Sequence, residues 1–479
     1  MRPQPGARTN EVPQNGTRRI LSMDAVLLAR IQFAITIGFH FIFPPLTIGL
    51  AWIIVWMKAV QLRTGSQRYR VMARFFTKLF AISFAVGVAS GIVMAFQFGT
   101  NWAEYSRFAG DIFGGPLAAE GIFAFFLEAT FLGILVFGDK RFSPRLTFFA
   151  ALMVALGATL SAFWIIVTNS WMQTPTGYEI VAGKAVLTDF WAAVFNPSTI
   201  QRYTHTINAC LMTGAFFVLA VSAWYLLKGR HAEIARTSLR IALVVGLVSS
   251  VLQFGLGHAH AVQVGETQPA KMAAFEGLFE TSSRAGLSVF GIPDAEAGKT
   301  HLDVRIPGLL SVFLKGSVDA EVKGLEEFPR DEWPPVLITF TTYHIMLGAG
   351  AVMLAVAGIG VILWLTGRLE TSRWWLWLAV PTALLPQIAN QTGWMAAEIG
   401  RQPWIVYGLM RTEDGISAAV PAGAILSSIV MFSVIYLMLG SLWVFLMLKK
   451  IGVGPEAVSA MADHDDRAAT KPKIAEASA

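Results

Sequence analysis

Nine long apolar stretches constrain the fold of this chain more than any other feature. They run over residues 25–57, 78–98, 116–138, 146–167, 205–227, 239–257, 336–366, 374–398 and 420–448. A helix needs about 20 apolar residues to cross the hydrocarbon core of a bilayer, and each stretch is about that long or longer. Inside that core no water is available to pair exposed backbone, so a segment must satisfy its own amides and become helical. Composition agrees: 54% of the 479 residues are hydrophobic and 14% are charged, where soluble domains carry about 25%. The expected fold is therefore all-α, a polytopic transmembrane bundle of about nine spans. The first stretch is expected to bend at Pro44-Pro45.

The basic residues set the orientation, because short cytoplasmic loops collect Lys and Arg. Lys58, Arg63, Arg68, Arg70, Arg74 and Lys78 follow the first stretch without an intervening acid. Lys140, Arg141 and Arg145 follow the third, Lys228, Arg230, Arg236 and Arg240 the fifth, Arg368 and Arg373 the seventh, and Lys449-Lys450 the ninth. The N-terminus is thus expected outside and the C-terminus in the cytoplasm. Topology accounts for the net charge of +6, so no nucleic-acid partner is expected. The single cysteine, Cys210, excludes a disulfide framework and a thiolate metal cage.

The expected organisation has five parts. Residues 1–23 form a disordered N-terminal extension without the apolar core of a signal peptide. Its Arg2, Arg8, Arg18 and Arg19 conflict with an outside location, so Met23 is read as the natural start. Spans one to six occupy 24–256, a long outer loop 257–335, spans seven to nine 336–450, and a disordered cytoplasmic tail 451–479. A long outer loop in a compact membrane protein is usually a lid or a docking surface.

Ionisable residues inside apolar stretches are functional candidates. Glu398 and Arg401 stand in Gly393-Trp394-Met395-Ala396-Ala397-Glu398-Ile399-Gly400-Arg401-Gln402-Pro403-Trp404. In a helix Trp394 and Glu398 are one turn apart and Arg401 shares their face. This is either a plain ion pair closing a helix or a buried site for a charged or metal-containing group. His40, among aromatic residues in the first stretch, suits an axial haem ligand, or else is a hydrogen-bonded helix histidine. Glu120 and Glu128 lie about 12 Å apart along an ideal helix axis and about 80° apart around it. That spacing suits successive stations of a proton path rather than one shared proton. His205 opens the fifth span; His344 and Met346 lie in the seventh, about 200° apart, so one iron cannot take both. Lys271 and Glu276 in the outer loop offer a donor and an acceptor beside apolar surface, as a quinol head group would need; the plain alternative is an exposed amphipathic turn. His258 and His260 are read as rim residues without a role.

Several stretches together resemble subunit I of cytochrome bd quinol oxidase. They are Gln32 to Thr47 around His40; Gln97-Phe98-Gly99-Thr100-Asn101-Trp102; Gly110-Asp111-Ile112-Phe113-Gly114 through Glu128; Lys271 to Thr281; Gly291-Ile292-Pro293-Asp294; and Gly400-Arg401-Gln402-Pro403-Trp404. The resemblance spans about Asp24 to Lys450 and matches the branch with a short outer loop.

The resemblance implies a multi-pass subunit of the bacterial cytoplasmic (inner) membrane. It implies three haems: a low-spin haem b, a high-spin haem b, and haem d or a third haem b. By position, His205 and Met346 resemble the axial pair of the low-spin haem. His40 and Glu398 resemble the ligands of the two high-spin haems, His40 for haem d and Glu398 for haem b. Glu120 resembles the acid beside the oxygen-reducing centre, and Glu128 a proton-path acid. Trp394 and Arg401 resemble residues packed around the haems, and Lys271 and Glu276 the quinol-binding pair. The implied partners are subunit II, a small single-span subunit, membrane lipid, quinol and O2. His344 departs from the family, whose best-known members carry Arg there; the family keeps Met at the place of Met346, which favours Met346 as the ligand. Pro44 also replaces the usual Val.

The expected activity is oxidation of quinol at the outer face and reduction of O2 to water, with a proton gradient arising from proton chemistry on opposite sides. A haem–copper oxidase would need a copper site of several histidines, including an adjacent pair, which this sequence lacks. A di-haem electron carrier would leave His40, Glu120 and Glu398 without a role. A secondary transporter using buried acids predicts an inverted repeat, and none is visible.

Overall fold

In this computed structural model, residues 24–456 are described. The expectations for Arg2, Arg8, Arg18, Arg19 and Met23, and for residues 457–479, lie outside the described residues. Helix α1 (Ala25–His40) begins where the Asp24 carboxylate accepts from the amide of Val26 at 2.8 Å. It stops at Phe41-Ile42, and α2 (Phe43–Thr64) starts with Pro44 and Pro45 in its first turn, where a missing N–H costs nothing. The expected bend is therefore a break just before the two prolines, and α1 and α2 make one crossing, Ala25–Thr64.

Helix α3 (Gln67–Thr100) returns outward. Helices α4 (Ala103–Ala119) and α5 (Phe126–Phe137) form one crossing joined by a π-helical turn over Glu120–Phe125. Helix α6 (Pro144–Gln173) is capped by Ser143, and the short outer helix α7 (Phe190–Val194) by Asp189. Helices α8 (Thr199–Leu227) and α9 (Ala232–Thr267) complete the first six crossings.

The outer segment holds α10 (Pro269–Glu276), an antiparallel hairpin of Leu287–Asp294 and Lys299–Ile306, and α11 (Leu309–Lys315). Helix α12 (Val336–Leu365) follows, then α13 (Arg373–Ala379), α14 (Leu385–Ile399) and α15 (Ala422–Val453).

Among the described residues, eight helical units are long and apolar enough to span a membrane. The expected span over 374–398 is broken instead into α13, a 3-10 turn at Pro381–Leu384, and α14, with Pro386 in the first turn of α14. Two prolines in that stretch remove the amides a continuous helix would need. The outer loop begins later than residue 257, because α9 runs on to Thr267 and carries His258 and His260 within it. The tail also begins later than 451: α15 ends at Val453, and Glu456 pairs with Arg74 at 2.9 Å and Lys78 at 3.5 Å.

Lipid tails are as apolar as Leu, so helices associate in a membrane through close packing and polar contacts. Helices α2 and α8 meet backbone to backbone at Gly49 and Gly214, where a Cβ on either would collide with the main chain of the other. The main core lies toward the cytoplasmic ends of α2, α3, α6, α8 and α9, around Phe76, Phe80, Leu79, Ile54 and Leu239. Beside it Lys58, only 3% exposed, lies 3.8 Å from Asp139, which also accepts from Arg70 Nε at 3.2 Å. A lysine there is tolerable because it is paired. On the far side, α15 presents Leu437, Met438 and Phe445 outward, an apolar surface suited to lipid or a membrane partner.

Candidate haem and quinol sites

Helix α14 carries Glu398 to the outer end of the bundle. Arg401 lies three residues on and donates from Nη2 to Glu398 Oε2 at 2.6 Å, the pairing that the shared face predicts. Two further elements converge on the same carboxylate. From α6, Asn169 Nδ2 donates to Oε1 at 3.1 Å and Gln173 Nε2 at 3.2 Å. From α8, Arg202 reaches within 3.6 Å of Oε1 and donates to Asn169 Oδ1. Trp394, one turn earlier, lies against Phe33 of α1 with ring centroids 6.4 Å apart.

His40 ends α1 and faces α3. Its Nδ1 lies 3.0 Å from Ser90 Oγ, and that hydroxyl is also within reach of the Val86 and Gly87 carbonyls. When the hydroxyl proton goes to one of these carbonyls, Ser90 accepts from His40 Nδ1–H. The lone pair is then on Nε2, the tautomer a metal ligand requires.

His205 lies on α8 against Gln253 of α9. Gln253 Nε2 is 3.1 and 3.3 Å from the two ring nitrogens, nearly equidistant, so it donates squarely to neither. His260 stands edge-on to His205 at 5.6 Å between centroids, so it belongs to the interior and not to the rim. On α12, His344 directs Nδ1 at the Phe340 carbonyl (2.9 Å) and Nε2 at the Ser288 carbonyl (3.2 Å). A neutral imidazole donates from only one of the two; Met346 turns its thioether to α14. A Cβ on Gly393 would lie 2.5 Å from Met346 Sδ, so only glycine admits the sulfur there.

Glu120 accepts from Ser161 Oγ of α6 at 2.6 Å. Glu128 packs its backbone on Gly157, four residues earlier on the same face of α6. Both acids thus face one stripe of α6, unlike the expectation of an ideal helix. The π turn between them inserts extra residues per turn and changes the phase.

Lys271 and Glu276, on α10, are buried at 3% and 2% exposure, so the exposed-turn reading does not hold. They point different ways. Lys271 Nζ donates inward to Gln173 Oε1 (2.6 Å) and Gln268 Oε1 (2.5 Å). Glu276 Oε2 accepts the Ser288 amide of the hairpin at 2.8 Å, while Arg305 donates to the Glu276 and Gly277 carbonyls. Burial holds Lys271 well below its ordinary range, with Arg202 and Arg401 adding to the effect. Burial pushes Glu276 up to about 7 against the opposing Ser288 amide and Arg305.

The donor set suits haem. Two imidazoles, a thioether and a carboxylate are carried on four helices, all types found as haem or metal ligands. A carboxylate offers about four lone-pair sites; Glu398 Oε2 receives one donor and so keeps one free. The buried atoms Arg202 Nε and Arg401 Nη1 have no hydrogen-bond partner among the described residues, and unpaired guanidinium nitrogens of this kind suit an anionic substituent.

Residues that the sequence reading passed over include Ser90, Ser161, Asn169, Gln173, Arg202 and Gln253. Asn169 and Gln173 extend the apolar stretch 146–167 and read as a solvated helix end. Arg202 precedes His205 by one turn, a signal open to reading only once that face was known to be buried.

Comparison with known proteins bears on this arrangement as a whole. Residues 28–455 match the family model described as cytochrome bd terminal oxidase subunit I. The chain is 42% identical to cytochrome bd ubiquinol oxidase subunit 1 of Bacillus subtilis (strain 168), over 91% of this chain and 95% of that protein. It is 35% identical to cytochrome bd-II ubiquinol oxidase subunit 1 of Escherichia coli (strain K12), over 91% and 98%. The solved bd oxidase of Geobacillus thermodenitrificans superposes with a TM-score of 0.85 at 31% identity, covering 91% of this chain and 100% of that one. A family match running through nearly every described helix, joined to this fold, means that the chain belongs to the cytochrome bd terminal oxidase subunit I family.

Proposed function

We propose that the outer segment around Lys271 and Glu276 is where this multi-pass inner-membrane subunit of a quinol:O2 oxidoreductase oxidises its quinol. The observation that carries this reading is the burial of both side chains beneath the hairpin, each hydrogen-bonded and neither facing bulk water. Oxidising a quinol to the quinone releases one proton per electron, and reducing O2 to water takes up one proton per electron. Glu276, titrating near neutrality, is suited to accept a quinol hydroxyl proton on the outer side. Lys271 is suited to hold the oxygen at the other end of the ring.

His205 and Met346 would hold the low-spin haem b, and His40 and Glu398 the two high-spin haems, one a haem b and the other haem d or a third haem b. These groups supply electron transfer and the O2-reducing centre. Arg401 and Arg202 hold the Glu398 carboxylate in place and offer unpaired donors to an anionic substituent. Trp394, one turn before Glu398 and against Phe33, would help exclude water from this end of α14. Glu128 and Glu120, on one stripe of α6, would hand protons outward from the cytoplasmic side. Protons leave outside and are taken up from inside, so a gradient forms without a separate pump. Subunit II and a small single-span subunit are the expected partners.

A reduced-minus-oxidised spectrum of the purified complex, with haem extraction, tests the reading. Three haems per complex, with or without a red-shifted chlorin band, are expected. A single haem, or none, would overturn it.

A further inference from the structure

We propose that Gln173 is a positioning residue that joins the quinol site to the haem-ligand site through one side-chain amide. Its Nε2 donates to Glu398 Oε1 at 3.2 Å, and its Oε1 accepts from Lys271 Nζ at 2.6 Å. The inference rests on the reading of Lys271 as a quinol residue and of Glu398 as a haem ligand.

The chemistry of the two neighbours fixes the amide. A carboxylate at this place only accepts, so Nε2 faces Glu398, which leaves Oε1 for the N–H groups of Lys271 Nζ. Rotating the amide by half a turn would set oxygen against the carboxylate oxygen, so one orientation alone satisfies Glu398. Gln173 is 1% exposed, so water does not compete for either contact. Among the described residues no carboxylate pairs directly with Lys271. Its second acceptor, Gln268 Oε1, is tied to the same residue, because Gln268 Nε2 donates to the Gln173 carbonyl at 3.0 Å. Both anchors of Lys271 therefore depend on residue 173, and the position of Lys271 follows that of Glu398. Outer-shell partners of this kind orient a ligand and tune what it binds. Coupling between two sites is reciprocal, so a change at either end of the amide is felt at the other.

Three variants of the intact complex separate the roles, with haem content, KM for a short-chain quinol and equilibrium dithionite titrations as readouts. Gln173→Leu removes both contacts and should raise KM by about tenfold while shifting the midpoint potential of one haem. Gln173→Glu is isosteric and keeps an acceptor for Lys271, so KM should stay within about twofold. It loses the donor to Glu398 and sets a charge beside it, so the potential of the same haem should still shift. Lys271→Ala should raise KM, keep all haems bound and, by the same reciprocal coupling, shift the potential of that one haem. An unchanged KM in Lys271→Ala would overturn the quinol reading itself. If Lys271→Ala raises KM but Gln173→Leu moves neither KM nor potential, the bridge alone fails. Equal rises in KM for Gln173→Leu and Gln173→Glu would show that an acceptor at residue 173 does not hold Lys271, and would overturn the bridge.

Discussion

The two halves of the bundle are built on different rules. Toward the cytoplasm, α2, α3, α6, α8 and α9 close on a continuous core of Ile, Leu, Phe and Met, and the buried Lys58 is matched by Asp139. Toward the outside the apolar core divides into smaller clusters around Trp102, Trp171 and Met272. Buried polar atoms without a protein partner gather there: Trp102 Nε1, Tyr105 OH, Trp164 Nε1, Arg202 Nε and Arg401 Nη1. The cytoplasmic half leaves fewer such atoms, Gln67 Oε1, Thr77 Oγ1 and His231 Nε2, and most of them lie in the outer half. Stability and chemistry are thereby placed at opposite ends of the same helices.

The sharpest break of that contrast comes from Glu398→Ala, which removes the carboxylate proposed as a haem ligand together with its charge. The complex should lose one of its three haems and nearly all oxidase turnover. Haem extraction checks this, and full haem content with normal turnover would remove Glu398 from the ligand set. In the cytoplasmic half, Phe76→Ala opens a cavity in the main core and should cost ~3–5 kcal/mol. Thermal unfolding should shift downward while the haem absorption of the folded complex stays unchanged; altered absorption would mean that the halves are not independent.

The smallest effect is expected of Glu276→Gln. With its carboxyl pushed up to about 7, Glu276 carries a proton below that pH and has a free acceptor above it. Quinol oxidation should therefore rise as pH increases through about 7, and the Gln variant should lose that limb with a few-fold drop in rate. A wild-type pH profile in the variant would assign the limb to another group.

How much of this was legible in the sequence depended on whether partners share a helix. The Glu398–Arg401 pair was legible because both residues lie on one face of one segment. The membrane crossings were legible because the hydrocarbon core admits little else. Their ends were not: Asn169 and Gln173 on α6, and His258 and His260 on α9, are polar residues that remain helical because neighbouring helices meet them. Asn169, Gln173 and Arg202 reach Glu398 from α6 and α8, and no spacing within a single stretch reveals such a meeting. Glu120 and Glu128 were placed on different faces because an ideal helix was assumed, and the residues Glu120–Phe125 give no local sign of a π turn. His344, the open alternative to Met346, has one ring nitrogen near the Ser288 carbonyl of the hairpin, a meeting that spacing within α12 does not reveal.

The contact between Gly49 and Gly214 also bears on how such a chain is made. Helix α2 enters the membrane early in synthesis, and the helix whose backbone it must touch is the fifth crossing to leave the ribosome. Until then the earlier crossings reside in lipid without the neighbour that seats them. The cytoplasmic core cannot close before α8 arrives, and it also takes Val356 of α12, Trp375 of α13 and Met447 of α15, which are inserted later still. The apolar core and the outer site that holds Met346 and Glu398 are thus completed together, by the last helices of the chain to be made.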